Sequence, residues 1–297
     1  MGSRGGARYI SPMTKRPWLD YGGQFSPLKA TVFAALFLPG IWVAANLALG
    51  HLGSRPLTEA LHQIGLWTIR FLFIALAVTP LRRLLQWPRL LLVRRMVGVA
   101  AFAYGVTHLT LYATDEAFNL AMVVSEIATR IYLTIGFVTL LGLTTLATTS
   151  TDGMVRRLGA PRWQRLHRIV YGIGVLACIH FFLQSKLDEW EPTMMAGFFV
   201  WLMGWRLLAR GRPSPWRLVS LTGALSLGAG AATALGEAGY FWLTMRVDPL
   251  RVIAVDFTLQ TGIRPAWVVL VAGLSVTLAG ALRAGLKQSG KLRLRPA

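Results

Sequence analysis

The chain has 297 residues, of which 54% are hydrophobic and only 14% are charged, and this balance excludes an ordinary soluble domain. The formal net charge is +19, but the basic residues fall in short clusters between apolar runs. That arrangement indicates orientation in a membrane rather than nucleic-acid binding. The single cysteine, Cys178, excludes an intrachain disulfide framework and a cysteine-built metal cluster. Any redox chemistry must therefore come from a bound cofactor.

The order of the elements along the chain predicts a multi-pass membrane protein. Residues 1–27 are expected to form a cytosolic segment, since they lack the apolar core of a secretory signal. A bilayer core of about 30 Å needs about 20 apolar residues per helix, and eight stretches approach that length. Their approximate limits are 28–50, 62–81, 96–114, 130–149, 169–187, 193–209, 217–243 and 265–285.

Basic and acidic residues alternate between successive loops. The basic clusters lie at 82–95, 156–168, 206–217 and 283–295, whereas the loops between them carry acidic residues such as Glu59, Asp115 and Glu189. Because basic loops stay on the cytosolic side, both termini are predicted to be cytosolic, with an even number of spans. The expected fold class is an all-α integral membrane protein of the bacterial inner membrane.

Two histidines lie at matching depth in two of these spans. His108 comes 13 residues after Arg95, and His180 comes 12 residues after Arg168. Both therefore lie roughly 20 Å from the membrane boundary that the basic clusters mark. An imidazole in hydrocarbon is costly unless something binds it, and a depth-matched pair indicates axial ligation of a membrane haem. The alternative is two histidines that donate hydrogen bonds across helix interfaces.

A third histidine, His167, lies at the cytosolic entrance of the fifth span, 13 residues before His180. That spacing separates the two rings by about 20 Å along a helix, which suits a second haem stacked below the first. In a straight helix, however, the two side chains point about 140° apart. The alternative for His167 is an interfacial histidine among basic neighbours.

Two residues of the second span are candidates for supporting roles. Arg70 is a buried arginine near the expected haem level, and we predict that it binds a haem propionate, with a carboxylate from another helix as the alternative. His62 lies at the start of the span. It is a candidate haem ligand or proton-carrying group, and the alternative is an interfacial residue without such a role. His51 is expected to be solvated.

The soluble loops are too short for a flavin or NADPH domain, so electrons must come from, and go to, something outside this chain.

Several segments together resemble a known family. They are AVTPL at 77–81, RRMVG at 94–98, THLTLY at 107–112, WQRLHRIVY at 163–171 and IH at 179–180. From about Lys29 to Leu208 the chain resembles the MsrQ (YedZ-like) haem-binding membrane subunits of the periplasmic methionine sulfoxide reductase system, within the ferric-reductase-like transmembrane superfamily.

This resemblance implies a b-type haem held by His108 and His180, with His167 as ligand of a second haem. It also implies FMN, for which the sequence shows no motif. Electrons would pass from the quinone pool to a periplasmic molybdopterin-containing reductase (MsrP-like) that repairs oxidised proteins. The chain would be an electron-transfer subunit and not the subunit that reduces methionine sulfoxide. The alternatives are a self-standing membrane metal or oxygen reductase of the same superfamily, or a non-redox transporter or scaffold.

The sequence departs from the superfamily pattern in two places. Arg94 and Arg95 stand where the third span would offer an inner-haem histidine, so a second haem would need a non-histidine sixth ligand. The chain also continues well beyond a complete six-helix core. We expect a haem-binding transmembrane domain at 28–210 and, at 211–297, an extension with two transmembrane helices that braces a partner or shapes a quinone site.

Overall fold

The computed structural model describes residues 16–20, 23–185, 188–258 and 262–290, and the predicted cytosolic segment lies largely outside these residues. Within the described ranges the only extended pairing is an isolated antiparallel bridge between Leu19 and Phe25. The all-α fold class is therefore confirmed. The helices are α1 (Pro27–Ala35), α2 (Leu38–Ala48), α3 (Pro56–Leu84), α4 (Leu91–Asp115), α5 (Leu120–Thr129), α6 (Ile131–Thr148), α7 (Asp152–Leu158), α8 (Ala160–Leu166), α9 (Val170–Ser185), α10 (Trp190–Leu208), α11 (Pro215–Met245), α12 (Pro249–Asp256) and α13 (Pro265–Gln288).

Each predicted span coincides with a helix or a helix pair. In the part of the chain that the structure describes, seven helical stretches are long and apolar enough to cross a membrane. The remaining predicted span, 193–209, is the sixth in chain order and corresponds to α10, which is not among the seven. This 19-residue helix contacts α3, α9, α11 and α13, and its Trp201, Leu202 and Trp205 are buried. Because neighbouring helices enclose α10, its surface need not be uniformly apolar.

Proline marks the start of several helices, where its missing N–H costs nothing and its fixed φ angle suits the first turn. Pro27, Pro56, Pro215 and Pro265 each occupy such a position. In the first span, α1 ends just before a short turn and α2 begins with Leu38 and Pro39. The break between the two helices therefore lies next to Pro39, a residue type that interrupts a continuous helix.

Pro80 lies inside α3, although the sequence suggests that the helix closes there. The helix continues to Leu84 because the hydrogen bond that Pro80 cannot make is replaced from another helix. A proline leaves the carbonyl four residues earlier, here that of Leu76, without its usual donor. The Nη2 atom of Arg206 in α10 donates to this carbonyl oxygen at 2.7 Å. The pair satisfies a backbone group that hydrocarbon would otherwise leave unpaired.

Four ionisable side chains meet where α10, α11, α12 and α13 converge. Arg264 forms an ion pair with Glu237. Its Nε atom lies 3.4 Å from Oδ1 of Asp256, and its Nη2 atom lies 3.8 Å from Oε1 of Glu189. Glu237 is fully buried, and Asp256 is 3% exposed. Burial raises the pKa of the Asp256 carboxyl. A single guanidinium therefore holds three buried carboxyl groups and ties the C-terminal helices to α10.

Helices α3 and α4 run in opposite directions, so charges of one sign collect at each end of the bundle. Arg83 and Arg94 lie at one end, here called the basic end, and Glu59 and Asp115 lie at the other, the acidic end. The assignment of the basic end to the cytosol stays a prediction. So does the division at residue 211, where Arg212 adopts a left-handed conformation just before α11 begins.

We expect Arg206→Met to lower the free energy of unfolding by about 1–3 kcal/mol, because the Leu76 carbonyl loses its donor. In a Pro80→Ala background the restored N–H of residue 80 serves that carbonyl, so the same substitution should cost at least about 1 kcal/mol less. Denaturant unfolding of the detergent-solubilised variants measures the difference. Arg210→Met, at an exposed arginine nearby, is the matched control. Equal costs in the two backgrounds would contradict the pairing.

Arg264→Leu should be strongly destabilising, by about 3–5 kcal/mol, since it leaves three buried carboxyl groups without a cation. Asp256→Asn should be neutral or stabilising at pH 8, because it removes one excess buried charge. A carboxyl whose folded pKa is raised favours folding most at low pH. Its contribution is lost as pH rises from the unfolded value, about 3.9, through the folded value.

Melting temperatures between pH 4 and pH 8 test this account of the Arg264 cluster. The unmodified chain should lose more stability across that range than the Asp256→Asn variant. A steeper loss in the variant would show that the buried carboxyl is not a source of the pH dependence.

Candidate haem site

The structure brings His108 of α4 and His180 of α9 together. Their ring centroids lie 6.4 Å apart, and the two ring planes are nearly perpendicular, at 85°. Both side chains are partly buried within the bundle. The depth match seen in the sequence thus corresponds to the approach of two side chains from helices that are not adjacent in the chain.

Each of these histidines is fixed by a backbone carbonyl of a different helix. The Nδ1 atom of His108 donates to the carbonyl oxygen of Leu61 in α3 at 2.9 Å. The Nδ1 atom of His180 donates to the carbonyl oxygen of Tyr132 in α6 at 2.8 Å. A carbonyl can only accept, so both rings carry their proton on Nδ1 and leave the Nε2 lone pair available.

A glycine makes room for each ring. Gly65 follows Leu61 by four residues, and a Cβ atom added there would lie 2.8 Å from Cε1 of His108. Gly136 follows Tyr132 by four residues, and a Cβ there would lie 2.7 Å from Cε1 of His180. Both contacts are too short for any side chain. Each imidazole therefore lies over the glycine one turn beyond the carbonyl to which it donates.

This donor set fits an iron held between two imidazoles. The centroid separation of 6.4 Å is compatible with both imidazoles holding one metal ion through Nε2, at metal–nitrogen distances of about 2.0 Å. Two neutral nitrogen donors are also the chemistry through which His108 and His180 would hold a b-type haem iron. Among the described residues, no group of three or more His, Cys, Asp or Glu side chains is arranged to hold a different metal ion.

His167 does not join this pair and lies toward the basic end. Its ring stacks on Trp163 with centroids 3.8 Å apart, and its Nε2 atom lies 3.3 Å from the Ser150 hydroxyl. The backbone at His167–Ile169 forms a 3₁₀ turn, in which each residue advances about 120° instead of about 100°. This turn reduces the angular difference from His180 to about 80°, so the straight-helix geometry does not apply. Its role as a ligand stays a prediction.

Arg70 pairs with a carboxylate, the alternative that the sequence left open. Its Nη2 atom lies 2.8 Å from Oε1 of Glu191 in α10, and its guanidinium lies 5.0 Å from the ring centroid of Trp67. His62 is exposed at the acidic end and accepts a hydrogen bond of 3.3 Å from Gln184 of α9. A bond between Arg70 and a haem propionate would have to compete with Glu191.

Sequence reasoning missed the carbonyls and glycines that support the two rings. In the sequence, the only trace of this support is a glycine four residues after the carbonyl residue, as in Leu61 and Gly65 and in Tyr132 and Gly136. This spacing can be interpreted only once the structure shows that a histidine from another helix binds there. Glu191 was also missed. Near the start of an apolar span, it looks like an ordinary boundary residue.

Comparison with known proteins places the chain in a family. The profile described as "Ferric reductase like transmembrane component" matches residues 63–178. A protein of Azospira oryzae named "Protein-methionine-sulfoxide reductase heme-binding subunit MsrQ" is 36% identical over 221 residues, which is 72% of this chain and 95% of the relative.

Two further relatives carry the same name. The protein of Rhodospirillum rubrum is 42% identical over 181 residues, covering 61% of this chain and 87% of its own, and that of Xanthomonas campestris pv. campestris is 42% identical over 186 residues, covering 62% and 85%. No solved structure matches the chain significantly. With a relative covered almost from end to end, the chain belongs to the MsrQ family of protein-methionine-sulfoxide reductase heme-binding subunits.

Proposed function

We propose that this protein is the haem-binding, electron-transferring membrane subunit of a protein-methionine-sulfoxide reductase system. The observation that carries the proposal is the pair of imidazoles of His108 and His180, 6.4 Å apart with both Nδ1 atoms engaged. The names of the relatives and the ferric-reductase-like profile support the same function.

In this proposal His108 and His180 hold one b-type haem, which supplies one-electron exchange within the membrane. The chain's own contribution is rigidity. The carbonyls of Leu61 and Tyr132 fix the tautomer and orientation of the two rings, so neither histidine has to move when an electron arrives or leaves. The surrounding apolar side chains exclude water.

The proposed partners are a quinone, which donates electrons, and a separate catalytic subunit, which accepts them. We place it in the bacterial inner membrane with the basic end in the cytosol, so electrons from the quinone pool would leave at the acidic end. There they would reach a periplasmic, molybdopterin-containing catalytic subunit. The described loops are short, so reduction of methionine sulfoxide belongs to that partner.

The remaining sequence predictions are narrower in scope. His167 stays a predicted ligand of a second haem, without a second imidazole among its contacts. Arg70 stays a predicted partner of a haem propionate. His62 stays a predicted cofactor-binding residue at the acidic end, as a ligand or a proton-carrying group. FMN is implied by family resemblance only, and we assign it no residue.

Replacing either paired histidine should remove the haem. We expect His108→Ala and His180→Ala each to remove the haem of the paired site, because one imidazole cannot substitute for the other. The Soret absorbance and a pyridine haemochrome assay measure the haem-to-protein ratio of the purified chain. His51→Ala is the matched control, since His51 is exposed in the loop between α2 and α3.

Full haem content in both paired variants would refute the ligand assignment. The same haem-to-protein ratio counts the haems in the unmodified chain. A ratio near one that His167→Ala leaves unchanged would limit the chain to the paired site, whereas a ratio near two that this variant halves would establish the second haem.

The glycines can be tested separately from the ligands. Gly136→Ala should displace the His180 ring and weaken haem affinity about 10–100-fold, although both imidazoles are still present. Gly172→Ala in α9 is the control, because an added Cβ there meets nothing within 4 Å. Haem retention by the two variants, compared during dialysis against apomyoglobin, gives the result. Equal retention would show that the Gly136 position does not support the site.

A further inference from the structure

A small cavity lies at the basic end of the bundle, where the C-terminal helices meet α3. Its volume is about 160 Å³. Its lining includes Arg83 and Leu84 of α3, Leu218 of α11, and Gly280 and Ala284 of α13. A water molecule occupies about 30 Å³ in the liquid, so the cavity has room for a polar group several times larger.

Arg83 is the one charged residue among the described residues that line this cavity. Its Nη1 atom donates to the carbonyl oxygen of Ala209 at 3.1 Å, and its guanidinium carbon lies 5.5 Å from the ring centroid of Trp205. These two contacts hold the side chain in place. A guanidinium has five N–H donors, so Arg83 can still donate to an acceptor that enters the cavity.

Positive charge surrounds the cavity without a counter-charge from the chain. Arg212, Arg217 and Arg283 are exposed, and each directly precedes a residue of the lining. None of the four arginines forms an ion pair with a described acidic side chain. The last half of α3, the first half of α11 and all of α13 contain no Asp or Glu. An anion in the cavity would therefore relieve repulsion that the chain itself leaves uncompensated.

The cavity lies at the level of the membrane surface. Trp216 directly follows Pro215 of the lining and is 48% exposed. Its Nε1 atom donates to Oε1 of Gln288, the last residue of α13, at 3.0 Å. Tryptophan is enriched at the boundary between lipid and water. Because α3, α11 and α13 are all long and apolar enough to cross a membrane, their ends at this cavity lie beside lipid headgroups.

We propose that this cavity binds the phosphate group of an anionic phospholipid, with Arg83 as the central donor and the neighbouring arginines around the headgroup. Guanidinium and phosphate are matched in geometry, since two N–H donors reach two oxygens at once. Basic pockets between membrane-spanning helices are a recurrent site for acidic headgroups. The arginines repel a quaternary ammonium, so the site prefers phosphatidylglycerol to phosphatidylcholine.

This site goes beyond the proposed function and gives the C-terminal helices a second attachment to the bundle. At the acidic end the Arg264 cluster ties α10, α11, α12 and α13 together. At the basic end the cavity lies between α3, α11 and α13. A headgroup there contacts all three helices, and its binding stabilises the folded chain.

The test uses the purified full chain, delipidated in detergent and titrated with phospholipids of identical acyl chains. Native mass spectrometry measures binding, and a thermal melt measures stability. We expect phosphatidylglycerol to bind at least about tenfold more tightly than phosphatidylcholine and to raise the melting temperature more. Equal binding of the two lipids would overturn the proposal.

Filling the cavity should exclude the headgroup while every charge is retained. We expect Gly280→Leu to lower the affinity for phosphatidylglycerol about tenfold. An added Cβ at this position lies 3.5 Å from Leu84 and Val219, an ordinary contact, so the helices need not move apart. Gly285→Leu is the matched control in α13, because an added Cβ there meets nothing within 4 Å. Equal affinities of these two variants would show that the lipid binds elsewhere.

Removing the central charge tests the role of Arg83. Arg83→Gln should also lower the affinity about tenfold, whereas Arg165→Gln, at an exposed position of α8, should not change it. The elution profile in size-exclusion chromatography checks that each variant is folded. If Arg83→Gln fails this check, the comparison of Gly280→Leu with Gly285→Leu still decides the proposal. Equal affinities of the two folded arginine variants would overturn the assignment of Arg83.

Inorganic phosphate distinguishes a lipid from a soluble source of the same group. Added in excess to the delipidated chain, it should not raise the melting temperature, since it lacks the acyl chains that keep a headgroup at the membrane surface. A rise in melting temperature that Gly280→Leu abolishes would identify the cavity as a site for a soluble phosphate and would overturn the lipid assignment.

Discussion

The structure depends most on two hydrogen bonds from histidine side chains to backbone carbonyls of neighbouring helices. In hydrocarbon a polar group must find its partner within the protein. His108 and His180 do so through Nδ1, and the same bonds decide which nitrogen stays free. The two bonds lie where α4 packs on α3 and where α9 packs on α6, and a glycine one turn beyond each carbonyl lets the ring approach.

The helical spans and the histidine pair were predictable because both depend on properties that a linear sequence records. Apolar length gives the spans, and residue counting gives the depth of His108 and His180. Contacts between helices are not recorded in this way. Gly65 and Gly136 carry no local signal, and α10 differs from its neighbours because other helices surround it. His167 shows the same limit, because a 3₁₀ turn alters the angle that a straight helix predicts.

The C-terminal helices are integrated into the bundle through charge as well as through apolar packing. Glu237 looks like an interruption of an apolar span in the sequence, yet it is fully buried against Arg264. Asp256 and Glu189 approach the same guanidinium from other helices. A buried charge is tolerated only where its counterion is fixed, so this cluster sets the relative positions of α10, α11, α12 and α13.

Pro80 and Arg206 lie 126 positions apart in the sequence, yet their contributions to stability are coupled. The arginine side chain supplies a hydrogen bond to the carbonyl that the imino acid cannot serve. Loss of the arginine alone would leave the Leu76 carbonyl unpaired, whereas loss of the proline restores the backbone donor and makes the arginine dispensable for that carbonyl. A basic residue near the end of a span can thus stabilise the backbone of another helix, in addition to any contribution it makes to insertion topology.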